Sequence, residues 1–422
     1  MPDLAVRGGR VVTADGVVDA DILMQGAHIT ALVARDDSTG RAPLEIDARG
    51  LVVLPGVVDA HVHVNEPGRT AWEGWLAATR GAAAGGVTTI ADMPLNSIPP
   101  TTTADAFDAK YEAASRSAIV DFALWGGLVD ADVHVLRALA ECGVVGVKAF
   151  LCPSGVDEFP YLDDDTLVPA LRAATEAGLL VAAHCEDERT IERATAAIGN
   201  THDLRAWLDS RPVEAEELAI GQLAAAARET GARVHVVHVS SVDGLLSVAQ
   251  ARRAGVDMSA ETCPHYLAFG ASDFSRLGPL IKCAPPIRHS ARQRLWEEVI
   301  GGRTLYVASD HSPCSADLKT RGNADVFAAW GGVSGLQSTL PIMLSEGVHE
   351  RGLSLALLAQ LVATRPAKRL GLWPRKGEIR VGADGDLALV DLDREWTFGA
   401  EQLETASGLS PYVGRTFRGA VV

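Results

Sequence analysis

The middle of the chain, between residues 55 and 375, alternates short apolar runs with longer runs rich in Ala, Leu and Glu. Short apolar runs are typical of buried strands, and the longer runs have the length and composition of helices. The pattern predicts eight strands, at residues 52–64, 88–93, 118–124, 144–150, 179–185, 233–239, 256–262 and 304–309. Eight strands with helical crossovers favour an α/β fold with a closed (β/α)8 TIM barrel. An open doubly wound sheet is the alternative, although no G-x-G-x-x-G segment follows a predicted strand.

The two ends of the chain differ from this middle. Residues 1–54 and residues 376–422 contain short β-rich runs that are interrupted by Gly and Asp. Such runs are typical of strands in small antiparallel sheets. Because both ends share the pattern, we expect residues 1–54 plus 376–422 to form one small β-sandwich domain, and residues 55–375 to form the barrel.

The composition excludes several classes of protein. Of the 422 residues, 47% are hydrophobic and 22% are charged, as in globular rather than disordered proteins. The formal net charge of −16 repels polyanions, so we expect no nucleic-acid partner. No run approaches the roughly 20 apolar residues of a membrane helix, and the N-terminus lacks a signal-peptide pattern. The 6 cysteines form no C-x-x-C pair and fit reduced thiols, so we expect a cytoplasmic protein without a membrane partner.

Two histidines end the first predicted barrel strand. His61 and His63 are two positions apart, and side chains alternate along a strand, so both imidazoles face the same side. Barrel enzymes keep their active sites at the carboxyl ends of their strands, and imidazole is a common metal ligand. The pair therefore favours a metal site over two separate structural histidines.

The fourth predicted strand contains a lysine. Lys148 lies within the apolar run at residues 144–150, where burial penalises the ammonium form of its side chain. A neutral amine takes up carbon dioxide, and the resulting carbamate is an anionic oxygen donor that is able to bridge two metal ions. For Lys148 taken alone, a snorkelling or salt-bridged lysine is the alternative.

Three further strand ends supply donor atoms. His184 ends the fifth predicted strand, His238 lies at the end of the sixth, and Asp310 follows the eighth. Imidazoles and oxygen donors suit a divalent ion such as zinc, and two neighbouring ions activate water and polarise a carbonyl group. Asp310 fits a carrier that moves a proton from the attacking water to a leaving nitrogen. The residues alone therefore indicate a metal-dependent hydrolase of an amide, ester or related bond.

The remaining histidines and cysteines have no local feature that marks them as ligands. Strand alternation predicts that His235 packs against a helix and that His311 points away from Asp310. His265 follows the seventh predicted strand near the rim of the barrel. The other histidines, including His202 and His289, are expected to be structural or on the surface, and the cysteines to be small buried apolar residues.

Four segments carry a resemblance to a known group of enzymes: residues 55–63 (PGVVDAHVH), 147–150 (VKAF), 261–267 (ETCPHYL) and 282–288 (KCAPPIR). They resemble the cyclic amidohydrolases, a group of the amidohydrolase superfamily that includes dihydroorotase, hydantoinase (dihydropyrimidinase) and allantoinase. The resemblance covers nearly the whole chain, including the β domain built from both termini. It implies two divalent metal ions, with zinc favoured over cobalt, manganese or nickel, whose ligands are His61, His63, His184, His238, Asp310 and a carbamylated Lys148.

Further segments separate the members of this group. Dihydroorotases carry an arginine two residues after the second histidine, where this chain has Asn65, so dihydroorotase ranks lowest. The segments that resemble allantoinases are residues 65–74 (NEPGRTAWEG), 92–101 (DMPLNSIPPT), 154–160 (SGVDEFP), 309–314 (SDHSPC) and 329–332 (AWGG). The resemblance implies hydrolysis of the ring amide of allantoin, a small-molecule substrate, to allantoate in purine catabolism.

The same resemblance suggests how the substrate is bound. It implies contacts from Asn96 and Ser312, and from the backbone around Ala284 and Gly332. Hydantoinases place an aromatic residue in the loop after the carbamylated lysine, and residues 152–155 contain none. A hydantoinase is nevertheless the alternative enzyme, and a catalytically silent scaffold is a further alternative.

Two expectations remain open. Asn65 and Arg69 either contact the substrate or shape the loop after the first barrel strand. The resemblance also implies a homo-oligomer, with a tetramer expected.

Overall fold

A computed structural model describes residues 2–35, 41–199, 201, 203–288 and 291–422 of the chain, so His202 and His289 lie outside the described residues. The described residues form sixteen strands: β1 (Leu4–Thr13), β2 (Gly16–Gln25), β3 (His28–Ala34), β4 (Leu44–Asp47), β5 (Val52–Pro55), β6 (Val57–Val62), β7 (Val87–Asp92), β8 (Asp121–Leu124), β9 (Gly126–Gly127), β10 (Val147–Phe150), β11 (Val181–His184), β12 (Val234–Val236), β13 (Met258–Thr262), β14 (Tyr306–Val307), β15 (Leu387–Thr397) and β16 (Thr416–Val421).

Fifteen α-helices lie between or after these strands in the described chain. They are α1 (Trp75–Ala84), α2 (Ala104–Ser117), α3 (Val133–Cys142), α4 (Leu167–Glu176), α5 (Glu188–Ile198), α6 (Leu204–Ser210), α7 (Val213–Thr230), α8 (Val242–Arg253), α9 (Pro264–Ala268), α10 (Phe274–Leu277), α11 (Arg292–Ile300), α12 (Ala316–Thr320), α13 (Thr339–Ile342), α14 (Leu355–Ala359) and α15 (Arg365–Arg369). Over the described residues, no helix is both long and apolar enough to cross a membrane.

Parallel strands form the barrel. Strand β7 pairs with β6 and β8, and the remaining barrel strands pair in the order β9 to β14. The short strand β9 follows β8 after Trp125 and pairs with β10, so β8 and β9 together connect the two sheets. Each sequence-predicted barrel strand is present, and helices α1, α2, α3, α4, α7, α8 and α11 follow strands in the alternation that the sequence predicts.

The first and last strands close the barrel. The backbone N–H of His63 donates to the carbonyl of His311 at 2.7 Å, and Val62 forms a parallel bridge with His311. The buried carboxylate of Asp59 accepts the backbone N–H of Ser309 at 3.0 Å. These contacts exclude the open doubly wound sheet and confirm the (β/α)8 barrel.

Strands from both chain ends pair in a second, seven-stranded sheet. Its order is β16-β15-β5-β1-β2-β3, with β4 on β1, and the β1·β4 and β1·β5 pairs are parallel while the others are antiparallel. The sheet buries a separate apolar cluster that includes Val6, Ile22, Ile29, Val53 and Ile379. A domain built from both termini is therefore confirmed, and its limits at residues 54 and 376 stay a prediction.

The predicted strand at residues 52–64 is in fact two strands. Strand β5 belongs to the terminal sheet and β6 to the barrel, with Gly56 between them. A Cβ at Gly56 would lie 2.2 Å from Oγ1 of Thr88, so only glycine lets the chain pass this closely between the two sheets.

Candidate metal centre and active site

All ten site residues predicted from the sequence line one cavity, of about 310 Å³, where the barrel strands end. The six predicted metal ligands are His61, His63, Lys148, His184, His238 and Asp310, and the four predicted substrate contacts are Asn96, Ala284, Ser312 and Gly332. Side chains from five barrel strands or the turns after them therefore meet at the face where barrel enzymes carry out their chemistry.

One group of donors comes from the first and last barrel strands. Nε2 of His61 is 3.3 Å from Oδ1 of Asp310, and Nε2 of His63 is 3.5 Å from the same oxygen. These three donor atoms all lie within 4.8 Å of one another. Asp310 has a φ of 44°, a costly conformation for a residue other than glycine, which the surrounding contacts must maintain.

A second group comes from the fourth, fifth and sixth barrel strands. Nδ1 of His184 and Nε2 of His238 are 3.1 Å apart. The ammonium nitrogen of Lys148 is fully buried and, within the described part of the chain, has no hydrogen-bond partner. Burial lowers the pKa of Lys148 to about 8. An amine with these properties is favourable for reaction with carbon dioxide.

The protonation of the cluster suits metal binding. Burial lowers the pKa of His63, His184 and His238, which favours the neutral imidazole. Burial alone would raise the pKa of Asp310, but His61 and His63 lower it to about 2. Neutral imidazoles and an ionised carboxylate are the forms in which these side chains bind metal ions.

Three acceptors beside the predicted ligands, two of them outside the cavity, fix the imidazole rings. Nδ1 of His61 lies 2.6 Å from Oε1 of Glu261, and Nδ1 of His63 lies 2.7 Å from the carbonyl of Leu95. Nε2 of His184 lies 2.9 Å from Oε2 of Glu186. An acceptor on one ring nitrogen fixes the tautomer and leaves the lone pair of the other nitrogen for a metal ion.

The sequence analysis missed these acceptors, although two of them carry a signal. Glu261 interrupts the otherwise uncharged strand β13, and Glu186 follows His184 by two positions, which is the spacing of residues on one side of an extended chain. The acceptor from Leu95 is a backbone carbonyl and has no signal of this kind.

The prediction that His235 packs against a helix is wrong. Its ring contacts the hydroxyl of Ser259 at 2.7 Å and Oε2 of Glu261 at 3.1 Å, and it stacks on Tyr306. His238 has a φ of 42°, so the chain leaves strand geometry before it and strand alternation does not relate it to His235. His235 therefore supports Glu261 from within the barrel.

His311 and His265 lie near Asp310 in different environments. Nε2 of His311 contacts Glu73 at 3.0 Å, and its Nδ1 accepts the N–H of Gly335 at 3.2 Å, so the ring points away from Asp310 as predicted. His265 is buried beside Asp310, and neither of its ring nitrogens has a hydrogen-bond partner among the described residues.

The family model described as the amidohydrolase family matches residues 52–422. The chain belongs to the amidohydrolase family. It is therefore a hydrolytic enzyme, and its buried His and Asp cluster is the candidate metal centre of an amidohydrolase.

Individual proteins agree with this assignment. The protein named allantoinase from Rubrobacter xylanophilus is 48% identical over 100% of this chain and 92% of its own length. The one from Solibacter usitatus is 47% identical over the same shares. Among solved structures, the L-hydantoinase (dihydropyrimidinase) of Arthrobacter aurescens aligns with a TM-score of 0.96 and 36% identity, covering 100% of this chain and 94% of its own.

Three of the four predicted substrate contacts of this amidohydrolase already form hydrogen bonds with other residues of the site loops. The amide nitrogen of Asn96 donates to Asn65 at 3.1 Å, and the hydroxyl of Ser312 donates to the carbonyl of Asp310 at 2.8 Å. The N–H of Gly332 donates to the carbonyl of Lys282 at 2.8 Å. The N–H of Gly332 is therefore already bonded, and Gly332 offers a substrate only its backbone surface.

Asn65 and Arg69 shape the loop after β6. The amide nitrogen of Asn65 donates to the carbonyl of Pro313 at 3.1 Å, and Arg69 donates to the carbonyl of Asn96 at 2.6 Å. Neither residue lines the cavity, so these contacts favour the structural role for both.

The cavity wall contains residues that the sequence analysis did not predict as site residues. They are Leu95, Phe150, Pro153, Ser154, Gly155, Trp207, Arg211, Lys282, Cys283, Phe327, Ala329, Trp330 and Gly331. Most of them belong to loops, where no hydrophobic period marks a residue as facing a ligand.

Proposed function

We propose that this amidohydrolase is an allantoinase that hydrolyses the ring amide of allantoin to allantoate. The observation that carries the proposal is the run of full-length relatives named allantoinase, at 37% to 48% identity. The solved hydantoinases and dihydropyrimidinases are less similar in sequence, at 26% to 36% identity. The cavity also combines neutral polar groups with a volume suited to a small ring.

The proposed cofactors are two divalent metal ions, zinc in the first instance, with cobalt, manganese or nickel as alternatives. His61, His63, His184, His238, Asp310 and a carbamate on Lys148 would hold these ions. The amine of Lys148 supports this assignment, because it has no hydrogen-bond acceptor among the described residues and a buried nitrogen of this kind is otherwise costly. Bound ions would polarise the ring carbonyl and activate the attacking water.

The chain itself would orient the substrate and move one proton. The carboxylate of Asp310, held ionised by the neighbouring imidazoles, accepts a proton from the attacking water and delivers it to the leaving ring nitrogen. Asn96 and Ser312 hydrogen-bond the ring and the ureido arm, the peptide of Ala284 contacts the ring, and Gly332 provides a close surface. Asn65 lies at the position where dihydroorotases carry an arginine that binds the substrate carboxylate. Dihydroorotate is therefore a poor fit.

Hydantoinase activity is the second candidate, since the L-hydantoinase of Arthrobacter aurescens aligns with a TM-score of 0.96. We also propose that the protein is a homotetramer, as the sequence resemblance implies. Analytical sedimentation would test this. A catalytically silent scaffold is disfavoured because all six predicted ligands line the cavity.

Turnover of allantoin, hydantoin, dihydrouracil and dihydroorotate tests the proposal. The purified protein is loaded with zinc, cobalt or manganese in bicarbonate buffer, and Asp310→Asn serves as the inactive control. We expect selective release of allantoate together with about two bound metal ions per chain. Preferred turnover of hydantoin would replace allantoinase by the second candidate. Failure on all four rings with no bound metal would establish the scaffold.

A further inference from the structure

One side of the cavity is a loop segment that two lysines hold in place. Phe327, Ala329, Trp330, Gly331 and Gly332 line the cavity, and we call residues 327–332 the 327–332 wall. The wall begins within a short 3-10 turn, Val326–Ala328, and is not part of a longer helix or a sheet. Its carbonyl groups need other donors, because buried backbone acceptors are rarely left unpaired.

Lys319, on α12, holds the end of the wall. Its buried ammonium group donates to the carbonyls of Trp330 at 2.8 Å and of Pro279 at 3.3 Å, and also to the carbonyl of Gly332. An ammonium group has three donors, and these three carbonyls use all of them. Removing Lys319 would therefore leave two carbonyls of the wall without a donor.

Lys282, which itself lines the cavity, holds the start of the wall. Its ammonium group donates to the carbonyl of Ala329 at 2.6 Å and to that of Phe327 at 3.2 Å. The same nitrogen lies 4.2 Å from the ring centroid of Trp207, a favourable cation–π distance. The backbone carbonyl of Lys282 also accepts the N–H of Gly332.

Aromatic contacts connect the wall to a 3-10 turn, Thr70–Trp72, and to helix α6. The ring of Trp330 meets the ring of Trp72 edge-on at 4.8 Å, and the ring of Phe327 meets Trp207 edge-on at 5.6 Å. A Cβ at Gly332 would lie 2.2 Å from the carbonyl oxygen of Ser312, so the wall also passes close to a predicted substrate contact. A shift of the wall would thus change the shape of the substrate cavity.

We propose that Lys282 and Lys319 are positioning residues that fix the 327–332 wall through its carbonyl groups and so select which cyclic amide the site accepts. Neither lysine needs to touch the substrate for this role. The identity of the preferred ring rests on the proposed function, whereas the position of the wall does not.

The test uses Lys319→Met and Lys282→Met in the full-length, metal-loaded protein. The matched control is Arg369→Met, because Arg369 donates to the carbonyl of Val234 at 2.8 Å, at the start of β12 and far from its cavity end. For each protein we would measure kcat and KM for allantoin and hydantoin, bound metal, and hydrogen–deuterium exchange of the wall amides.

We expect Lys319→Met to lower kcat/KM for allantoin by about 10²-fold, because misplacement of a positioning group by about 1 Å costs that much. Hydantoin lacks the ureido arm and should lose less, so the allantoin preference falls. Exchange in the wall should accelerate, and bound metal should be unchanged. Lys282→Met should show the same pattern more weakly, and Arg369→Met should show neither change.

The inference is overturned if both lysine variants keep the wild-type substrate preference or the wild-type exchange of the wall. If Lys319→Met does not fold, Lys282→Met decides the matter alone. If the wild type does not hydrolyse allantoin, the proposed function fails. The wall exchange, and the preference between whichever rings are turned over, then still decide the role of the lysines.

Discussion

The carboxyl-end rim of the barrel and the terminal sheet differ in the backbone strain that they carry. All three residues other than glycine with a positive φ in the described chain, Asn65, His238 and Asp310, lie at the rim. In strands β1–β5 and their turns, the described residues with a positive φ are glycines, such as Gly8 and Gly26. The rim therefore carries backbone strain that the sheet avoids.

Buried polar groups show the same contrast. At the rim, Lys148 and His238 each have a buried nitrogen without a hydrogen-bond partner among the described residues. In the terminal sheet, the buried carboxylate of Asp21 accepts hydrogen bonds from Arg7 at 3.0 Å and from the N–H of Gly8 at 2.7 Å. Backbone strain and these two unpaired nitrogens thus lie together where the predicted donors meet, whereas the sheet pairs the carboxylate of Asp21 and contributes stability.

The substitution with the largest expected effect removes the unpaired amine of Lys148 at the rim. Lys148→Ala should lose bound metal and lower activity by at least about 10³-fold, equivalent to about 4 kcal/mol. Because the proposed donor is a carbamate, short-chain carboxylic acids should restore part of the metal content and activity. Metal analysis and steady-state turnover, with and without propionate, would check this result.

His184→Ala is the control for the rescue, since a carboxylic acid does not replace an imidazole. Wild-type activity in Lys148→Ala would refute the role of the carbamate. Recovery of both variants by propionate would show that the acid acts elsewhere.

A change in the terminal sheet should affect stability alone. Ile22 is fully buried in β2, and Ile22→Ala should lower the free energy of unfolding by about 2–5 kcal/mol because it leaves a cavity. Denaturant unfolding would measure the loss. At a temperature where the variant remains folded, kcat/KM should match the wild type, and a lower value would mean that the sheet controls the site.

The smallest of the three effects concerns the support of a predicted metal ligand. Glu261→Gln keeps the shape of the side chain but weakens the acceptor for His61 and His235, so metal affinity should fall about 10–100-fold. Competition with a chelator would measure it. Glu216→Gln is the matched control, because Glu216 is equally buried but bonds Ser240 and Ser241. Equal losses in both variants would assign the effect to general destabilisation.

Regular spacing explains what the sequence could predict. The strand pattern and the two-residue alternation of His61 and His63 locate the barrel and the donor face, because both depend on local geometry. Alternation failed at His235 because a left-handed residue, His238, ends the regular strand. Side-chain alternation therefore predicts orientation only where the backbone keeps regular strand geometry.

Long-range partners could not be predicted in the same way. Glu261 is 200 positions from the histidine it supports, and Lys282 is 47 positions from the Ala329 carbonyl that it binds. Such pairs depend on how distant strands and loops meet in the folded chain, and a backbone carbonyl acceptor is the same in every residue. The sequence therefore predicts the donors of the site and not the groups that hold them.

The contact that closes the barrel also sets when the enzyme can form during synthesis. Asp59 and Ser309 are 250 positions apart. A ribosome that adds about 5–20 residues per second needs about 12–50 s to travel between them. During that interval β6 has no partner on its outer edge and Asp310 has not been made. A nascent chain therefore cannot assemble the complete metal centre, and the unpaired edge is the segment that a chaperone would need to protect.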